Sequence, residues 1–347
     1  MARYAMENKT MAEENDVKMT VKRVLVLYTG GTIGMQRGQT GLVPAGGFDT
    51  RLRQEQASRS ADVPEWTFEA LEPPLDSANM TQQNWLLMRD AIVTAYDKGE
   101  CDGALVLHGT DTLAYSAGAL SFLLLGLPIP VVLTGSMLPA GVPNSDAWPN
   151  LFGAMAALGK GAKAGVHVFF NGRLMHGARV TKLQSDERDA FHVLPRKRLA
   201  THDAPGQASL DYTRRPQPGA IAILPLFPGL NAIQAEALLA TNPAGLLLEC
   251  YGSGTGPSDD QALMNVLADA HRRGVVLAAI SQCPYGHIAF DTYEAGSRLR
   301  DTGLVSGGGM TREAALGKLF FLTGLGLDQP SAEHAFASDL CGELLER

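Results

Sequence analysis

Residues 24–35 read VLVLYTGGTIGM, an apolar, β-prone run that ends in two glycines flanked by threonines. A buried strand that enters a tight glycine turn is typical of a βα unit, and open α/β folds place their ligands at the carboxyl ends of such strands. The glycines allow the backbone to turn sharply and to approach a ligand closely. The pattern therefore predicts a crevice with the hydroxyl of Thr32 in it. The alternative is that Thr32 only caps the segment that follows.

A second turn of the same plan occurs at residues 104–115, which read ALVLHGTDTLAY. Asp111 and Thr112 suit the first turn of a helix, where unpaired N–H groups and the positive end of the helix dipole favour oxygen atoms. A well-capped helix would explain this motif alone. Two such turns in one parallel sheet, however, can bring the hydroxyls of Thr32 and Thr110 and the carboxylate of Asp111 into one crevice.

Three further polar sites lie beside predicted strands and helices. Asp76 and Ser77 precede a helical segment, and taken alone they favour an N-cap over a site role. Lys182 follows a strand and is either a solvated surface charge or a site residue. Residues 134–139 run from a strand into a glycine and the hydroxyl of Ser136.

Short apolar runs alternate with helical patterns along the 347 residues of the chain. Near-continuous Val, Leu, Ile and Ala runs are typical of parallel strands covered on both faces, and their alternation with helices predicts the α/β class. We expect a larger N-terminal domain, with a mainly parallel sheet flanked by helices, and a smaller C-terminal α/β domain. The predicted strands are residues 22–28, 103–108, 130–134, 166–170, 219–225, 245–249 and 275–281. The predicted helices are residues 81–97, 112–125, 147–158, 231–240, 259–273 and 311–323.

The domain boundary is predicted from a polar segment. Residues 194–218 carry four prolines and no hydrophobic periodicity, which is typical of a connection. Residues 37–48 carry four glycines just after the first turn and predict a mobile lid. The predicted segments are a disordered N-terminal extension at residues 1–20, an N-terminal domain with both threonine turns at 21–195, a linker at 196–218 and a C-terminal α/β domain at 219–347.

Composition and motifs argue against several classes of protein. The net charge of −7 argues against a nucleic-acid partner, which usually requires a basic surface. The four cysteines form no C-x-x-C pair, so they predict neither a zinc site nor a disulfide framework and fit a reducing compartment. The N-terminal residues include no apolar stretch typical of a secretory signal, and no apolar run is long enough to cross a bilayer. We therefore expect a cytoplasmic protein without a membrane partner.

Motifs for cofactors and for other hydrolases are also missing. The glycines of the first turn do not form G-x-G-x-x-G, and the chain has neither G-x-x-x-x-G-K-[ST] nor G-x-S-x-G. The eight histidines show no metal-binding spacing. We expect no metal and no organic cofactor.

The elements together resemble the bacterial-type L-asparaginases, and in particular the type I (cytoplasmic) branch of that family. The matching motifs occur in the family's order and at similar spacing, and the resemblance covers about residues 22–345. The motifs are YTGGTIGM at residues 28–35, DS at 76–77, HGTDTLAY at 108–115, TGS at 134–136, FFN at 169–171, TK at 181–182, YGSG at 251–254 and MT-x-EA at 310–314.

The resemblance implies hydrolysis of L-asparagine to L-aspartate and ammonia through an acyl-enzyme. It assigns Thr32 as the first nucleophile. It assigns Thr110, Asp111 and Lys182 to a second group, in which the lysine and the aspartate polarise the threonine hydroxyl and help to activate water. A threonine hydroxyl is a poor nucleophile until a neighbour accepts its proton, so such a group is chemically reasonable. The backbone N–H groups of Gly31 and Thr110 are candidate oxyanion donors.

The family also implies how the substrate is held. Carboxylates suit its α-ammonium group, and a serine hydroxyl with backbone N–H groups suits its α-carboxylate. The expected assembly is a homodimer, or a homotetramer built from dimers. The implied substrate-binding set is Gly31, Asp76, Ser77, Thr110, Asp111 and Ser136.

The chain departs from the family's pattern at three positions. Leu42 stands where many members have a lid tyrosine, and Thr255 stands where relatives often have asparagine. Glu249 replaces an arginine of some relatives, near the place where they bind an effector; here that place is close to Thr181 and Cys283.

These departures keep two alternatives open. One is an amidohydrolase that prefers L-glutamine or another small amide, since one methylene changes selectivity only modestly. The other is a catalytically weak amino-acid-binding protein on the same scaffold. A subunit of a tRNA-dependent amidotransferase, which uses a related domain, is disfavoured by the negative net charge and by the lack of an added RNA-binding region.

Overall fold

The computed structural model describes residues 21–37, 42–44, 46–59, 63–197, 200–202 and 210–344. The predicted extension at 1–20 lies outside the described residues, as do parts of the predicted lid and linker. The strands are β1 (Arg23–Gly30), β2 (Met35–Arg37), β3 (Leu42–Pro44), β4 (Glu65–Leu75), β5 (Gly103–Leu107), β6 (Pro130–Thr134), β7 (Gly165–Phe170), β8 (Arg173–His176), β9 (Val180–Lys182), β10 (Phe191–Val193), β11 (Ile221–Pro225), β12 (Gly245–Cys250), β13 (Val276–Ser281) and β14 (Val305–Ser306). The helices are α1 (Phe48–Arg59), α2 (Gln82–Asp97), α3 (Leu113–Leu123), α4 (Ala147–Gly159), α5 (Ala232–Leu239), α6 (Gln261–Arg272), α7 (Glu294–Arg300), α8 (Arg312–Gly324) and α9 (Gln329–Ala337). None of these helices combines the length and the apolar character that a bilayer crossing requires.

Two sheets organise the chain. The first has the strand order β4-β1-β5-β6-β7-β8 and is parallel except for β8, which pairs antiparallel with β7. The second has the order β11-β12-β13-β14 and is parallel throughout. This architecture confirms the α/β class, with a larger, mainly parallel N-terminal sheet and a smaller C-terminal one.

The alignment of β1 with β5 positions the two glycine turns. The strands are parallel neighbours, with Tyr28 opposite Leu107, so their carboxyl ends lie side by side. The buried hydroxyl of Thr29 donates to the carbonyl of Leu107 at 3.0 Å and ties the two ends together. The turn after β1 therefore meets the turn after β5 at one edge of the sheet, as expected for the ligand edge of an α/β fold.

Helices α3 and α8 join the two halves of the molecule. They approach so closely that a Cβ atom added to Gly317 would lie 2.7 Å from the Cα of Ala119, and one added to Gly118 would lie 2.9 Å from the carbonyl oxygen of Glu313. Phe122 of α3 and Phe320 of α8 are fully buried in the same hydrophobic core. Helix α8, which packs on the second sheet, is thus in direct contact with α3, the helix that begins after the second glycine turn.

A buried ion pair ties α8 to the C-terminal segment. The ammonium of Lys318 lies 2.6 Å from Glu343 and also donates to the carbonyl of Ser338, and both charged side chains are fully buried. Burial alone would raise the pKa of Glu343. The charge and hydrogen bond of Lys318, with backbone N–H groups such as that of Cys341, outweigh burial and hold this pKa at about 2. The carboxylate of Glu343 therefore stays ionised at neutral pH.

Candidate active site

The two glycine turns touch at Gly31 and Gly109. Gly31 has a φ of 87°, and a Cβ atom added there would lie 2.4 Å from both N and Cα of Gly109. A Cβ atom added to Gly109 would lie 2.4 Å from the hydroxyl oxygen of Ser77. The backbones of the two turns and Ser77 are thus in direct contact, which leaves no room for a side chain at either glycine. The residues that follow each glycine lie at the same crevice.

Thr32 directly follows this contact. It opens a single turn of 3₁₀ helix at residues 32–34, and the N-cap of that turn is Gly31. The hydroxyl of Thr32 makes no hydrogen bond with any residue that the structure describes, and the side chain is half-buried. The capping role considered for Thr32 is therefore not what the structure shows, and its hydroxyl is available to a ligand.

Lys182 joins the residues of the second turn. Its ammonium donates to the hydroxyl of Thr110 at 3.1 Å and to Oδ1 of Asp111 at 3.0 Å. The side chain of Lys182 is only 18% exposed, whereas that of Asp111 is 64% exposed. Lys182 is thus an enclosed cation held between a hydroxyl and a carboxylate, which rules out the alternative of a solvated surface charge.

The strand that carries Lys182 is fixed in place by contacts with β10 and with α8 of the C-terminal half. β9 ends at Lys182 and pairs antiparallel with β10. The neighbouring residue Thr181 donates from its hydroxyl to Oε1 of Glu313 at 2.6 Å, and Glu313 lies in the first turn of α8. The sequence marks Glu313 only as part of a motif, because a contact between residues 132 positions apart leaves no local pattern.

Asp76 and Ser77 lie just after β4, on the other side of β1 from the second turn. Oδ1 of Asp76 accepts the N–H of Ala78 at 3.1 Å, so the predicted N-cap is present. Oδ2 of Asp76 has no partner among the described residues, and the side chain is exposed. The hydroxyl of Thr112 donates to the carbonyl of Ser77 at 2.8 Å and fastens this segment to the second turn.

Two expectations about polar groups need correction. The N–H of Gly31 donates to the carbonyl of Leu75 at 3.1 Å, so it is not free to bind a substrate oxygen. The hydroxyl of Ser136 is buried and donates to the carbonyl of Leu138 at 2.6 Å, in its own loop. The N–H of Thr110 makes no hydrogen bond with the described residues, which leaves it as the open donor of the two oxyanion candidates.

His108 lies directly before the second turn, and the sequence analysis assigned it no role. It is fully buried, with Nδ1 2.7 Å from the carbonyl oxygen of Gly109 and Nε2 2.8 Å from the hydroxyl of Ser116. Burial lowers the pKa of His108 to about 4, so the imidazole is neutral at physiological pH. A histidine at the end of an apolar strand, directly before Gly-Thr-Asp, is the sequence pattern that could have marked His108 as a residue of the site.

The positions that depart from the family pattern show other contacts. Leu42 lies on β3, opposite Arg37 of β2. The hydroxyl of Thr255 is directed to the carbonyl of Tyr251 at 3.4 Å and helps to close its own loop. Both carboxylate oxygens of Glu249 bond to the guanidinium of Arg312, so this buried charge is paired within the chain.

Comparisons with known proteins give a consistent result. Residues 23–216 match the family model of the asparaginase N-terminal domain, and residues 220–336 match that of the glutaminase/asparaginase C-terminal domain. The chain is 35% identical to L-asparaginase 1 of Escherichia coli over 342 residues, which cover 94% of this chain and 99% of the relative. The crystal structure of L-asparaginase I from Vibrio cholerae superposes with a TM-score of 0.81 at 31% identity, covering 94% of this chain and 99% of that one. The thermostable L-asparaginase from Thermococcus kodakarensis gives 0.80 at 32% identity, covering 94% and 100%.

Proposed function

This chain belongs to the asparaginase family of amidohydrolases, in its type I branch, and from that premise we propose that it hydrolyses L-asparagine to L-aspartate and ammonia through an acyl-enzyme. The observation that carries the proposal is the contact of Lys182 with Thr110 and Asp111, beside a turn that presents the free hydroxyl of Thr32. A binding protein would need neither the second hydroxyl nor the enclosed lysine.

The first half-reaction transfers the acyl group to Thr32. Its oxygen attacks the side-chain amide carbon of the substrate, and its proton passes to the leaving nitrogen. The C–N bond breaks, ammonia departs and an ester to Thr32 forms. The carbonyl oxygen becomes negative as the bond forms, and the unpaired N–H of Thr110 is the donor that we assign to it.

The second half-reaction returns the enzyme to its starting state. Water attacks the ester carbon, the bond to Thr32 breaks, and a proton from the water restores the Thr32 hydroxyl. Because the oxygen of Thr110 accepts a hydrogen bond from Lys182, its own proton is free to point toward the water or the substrate. Lys182 and Asp111 thus hold the Thr110 hydroxyl in one orientation for proton transfer.

The amino-acid end of the substrate is assigned to the exposed oxygens around the crevice. Asp76 and Asp111 suit the α-ammonium group because both carboxylates retain an oxygen without a partner among the described residues. The hydroxyl of Ser77 suits the α-carboxylate. The N–H of Gly31 and the hydroxyl of Ser136 already donate to carbonyl groups of the protein. We therefore assign these two residues to the binding set through the shape of their turns.

The assembly and the location are proposed by analogy with the family. We assign a homodimer, or a homotetramer of dimers, in which the loop at 251–255 approaches a neighbouring subunit. A cytoplasmic location is supported by the similarity to type I enzymes and by the four cysteines, which are all free thiols. Free thiols are typical of a reducing compartment.

Ammonia release from L-asparagine and L-glutamine by the purified protein tests this function. We expect turnover of L-asparagine with a kcat/KM above that for L-glutamine, because the relatives similar over nearly the whole chain include enzymes named as L-asparaginases. A higher value for L-glutamine would replace the proposed substrate by the longer amide. Detectable amino-acid binding without turnover of either amide would instead establish a binding protein.

A further inference from the structure

We infer that His108 is a positioning residue for catalysis, which orients and polarises the Gly109–Thr110 peptide group so that its N–H serves as the oxyanion donor. The inference rests on the proposed function, because it concerns the acyl transfer assigned to Thr32. It is carried by a chain of hydrogen bonds that starts in the core, behind the crevice, and ends at this peptide.

The chain of hydrogen bonds has a single direction. Nε1 of Trp85 lies 3.0 Å from the hydroxyl oxygen of Ser116, and an indole N–H can only donate. Ser116 therefore accepts from Trp85, and its own proton is directed to Nε2 of His108 at 2.8 Å. Because Nε2 then accepts, the neutral imidazole carries its proton on Nδ1. That proton is donated to the carbonyl oxygen of Gly109 at 2.7 Å, which can only accept.

The opposite tautomer is unfavourable in the same surroundings. It would place the lone pair of Nδ1 against the lone pairs of the Gly109 oxygen at 2.7 Å. His108 and Ser116 are fully buried and Trp85 is almost so, which leaves no exposed surface from which water could relieve the repulsion. The neutral Nδ1–H form is also consistent with the pKa of about 4 that burial imposes on His108.

The peptide geometry connects this bond to the crevice. In a trans peptide the N–H and the C=O point in opposite directions, and among the described residues the only cis peptide is Glu72–Pro73. The Gly109 carbonyl points inward to His108, so the N–H of Thr110 points away from the buried histidine. That N–H is without a partner among the described residues.

Two physical effects follow from this arrangement. Gly109 has no side chain to restrict the rotation of its peptide group, so the bond from His108 supplies the restriction. A peptide whose carbonyl accepts a hydrogen bond is polarised, and its N–H becomes a somewhat stronger donor in a low-dielectric site. Both effects act on kcat, because the negative charge on the substrate oxygen develops only during the reaction.

Kinetics of two variants at one position test the inference. His108→Leu removes the donor at similar size, and we expect kcat for L-asparagine to fall about tenfold with KM unchanged. The fall is smaller than the 100-fold to 1,000-fold loss typical of deleting a whole oxyanion donor. His108→Asn keeps an N–H near the position of Nδ1 and should recover kcat to within about threefold of the wild type. Ser121→Ala is the matched control, since this buried hydroxyl of α3 bonds, among the described residues, only to the carbonyl of Ala117, and its kcat should stay at the wild-type value.

Several results would overturn the inference, and each is distinct from failure of the proposed function. A full wild-type kcat in His108→Leu would show that His108 has no positioning role. If kcat, L-aspartate binding and the unfolding midpoint all fall in His108→Leu and none recovers in His108→Asn, His108 is a structural residue only. If the leucine variant does not fold, the tautomer of His108 in the wild-type protein decides, because a protonated Nε2 refutes the inference and a protonated Nδ1 supports it. A wild-type protein that hydrolyses no amide removes the proposed function and this inference together.

The tautomer provides a readout that does not depend on activity. We expect ¹⁵N NMR of the histidine-labelled wild-type protein to show Nδ1 of His108 protonated and Nε2 unprotonated at neutral pH. A protonated Nε2 would refute the direction of the hydrogen-bond chain and therefore the inference.

Discussion

Replacing Lys182 by methionine is expected to lower kcat for L-asparagine by about 100-fold to 10,000-fold, the range typical of losing a positioned proton-transfer group. Methionine preserves the length of the side chain but removes the ammonium that bonds to Thr110 and Asp111. The Thr110 hydroxyl then loses its fixed orientation, while the crevice keeps its shape. The measurement is steady-state ammonia release, with kcat and KM determined separately.

Lys163→Met is the matched control, because Lys163 is exposed and lies two residues before β7, at the opposite end of the sheet from the glycine turns. Its kinetics should equal those of the wild type. An increase in KM at unchanged kcat in Lys182→Met would contradict the account, since it would make Lys182 a substrate-binding residue rather than part of the proton-transfer group.

The second large effect is expected on stability. Lys318→Met should lower the free energy of unfolding by about 3–5 kcal/mol, because it leaves the carboxylate of Glu343 buried without its cation. The aromatic rings of Phe122 and Phe336 flank the ammonium at 5.9 Å and 5.7 Å, so Lys318 lies in apolar surroundings. Urea unfolding at neutral pH measures the change.

A double variant separates the buried charge from the lost contact. Lys318→Met combined with Glu343→Leu removes both charges and should recover most of the lost stability, since apolar replacements of buried pairs are often neutral. Arg298→Ala, which breaks an exposed pair with Glu294, should stay within about 0.5 kcal/mol of the wild type. A single Lys318→Met variant as stable as the wild type would show that Glu343 is not held ionised by this lysine.

The central part of the fold could be predicted from the sequence, because its strands are continuous apolar runs. β5 and β6 are buried at every residue, and the predicted and observed bounds differ there by at most one residue. β4 was missed since it is an edge strand with half-exposed, alternating residues and two prolines. α1 was missed because only Phe48 and Leu52 of its twelve residues are buried, which gives no apolar stripe.

The candidate site was predictable only where its residues share a local motif. The turns that carry Thr32 and Thr110 are recognisable as patterns of apolar residues, glycine and threonine. The role of Lys182 came from the resemblance alone, since its contact with Thr110 joins segments 72 residues apart. The bond that occupies the N–H of Gly31 could not be foreseen, because it comes from Leu75 of a strand that the pattern did not predict.

The position of the acyl group is the most direct test of the proposed mechanism. The protein is mixed with L-asparagine, quenched in acid during turnover, digested and mapped by mass spectrometry, with Thr32→Ala treated in parallel. The account predicts an aspartyl ester on the wild-type peptide that contains Thr32. In Thr32→Ala both the ester and the release of ammonia should be absent. An ester on the peptide that contains Thr110, or continued ammonia release by Thr32→Ala, would contradict Thr32 as the first nucleophile.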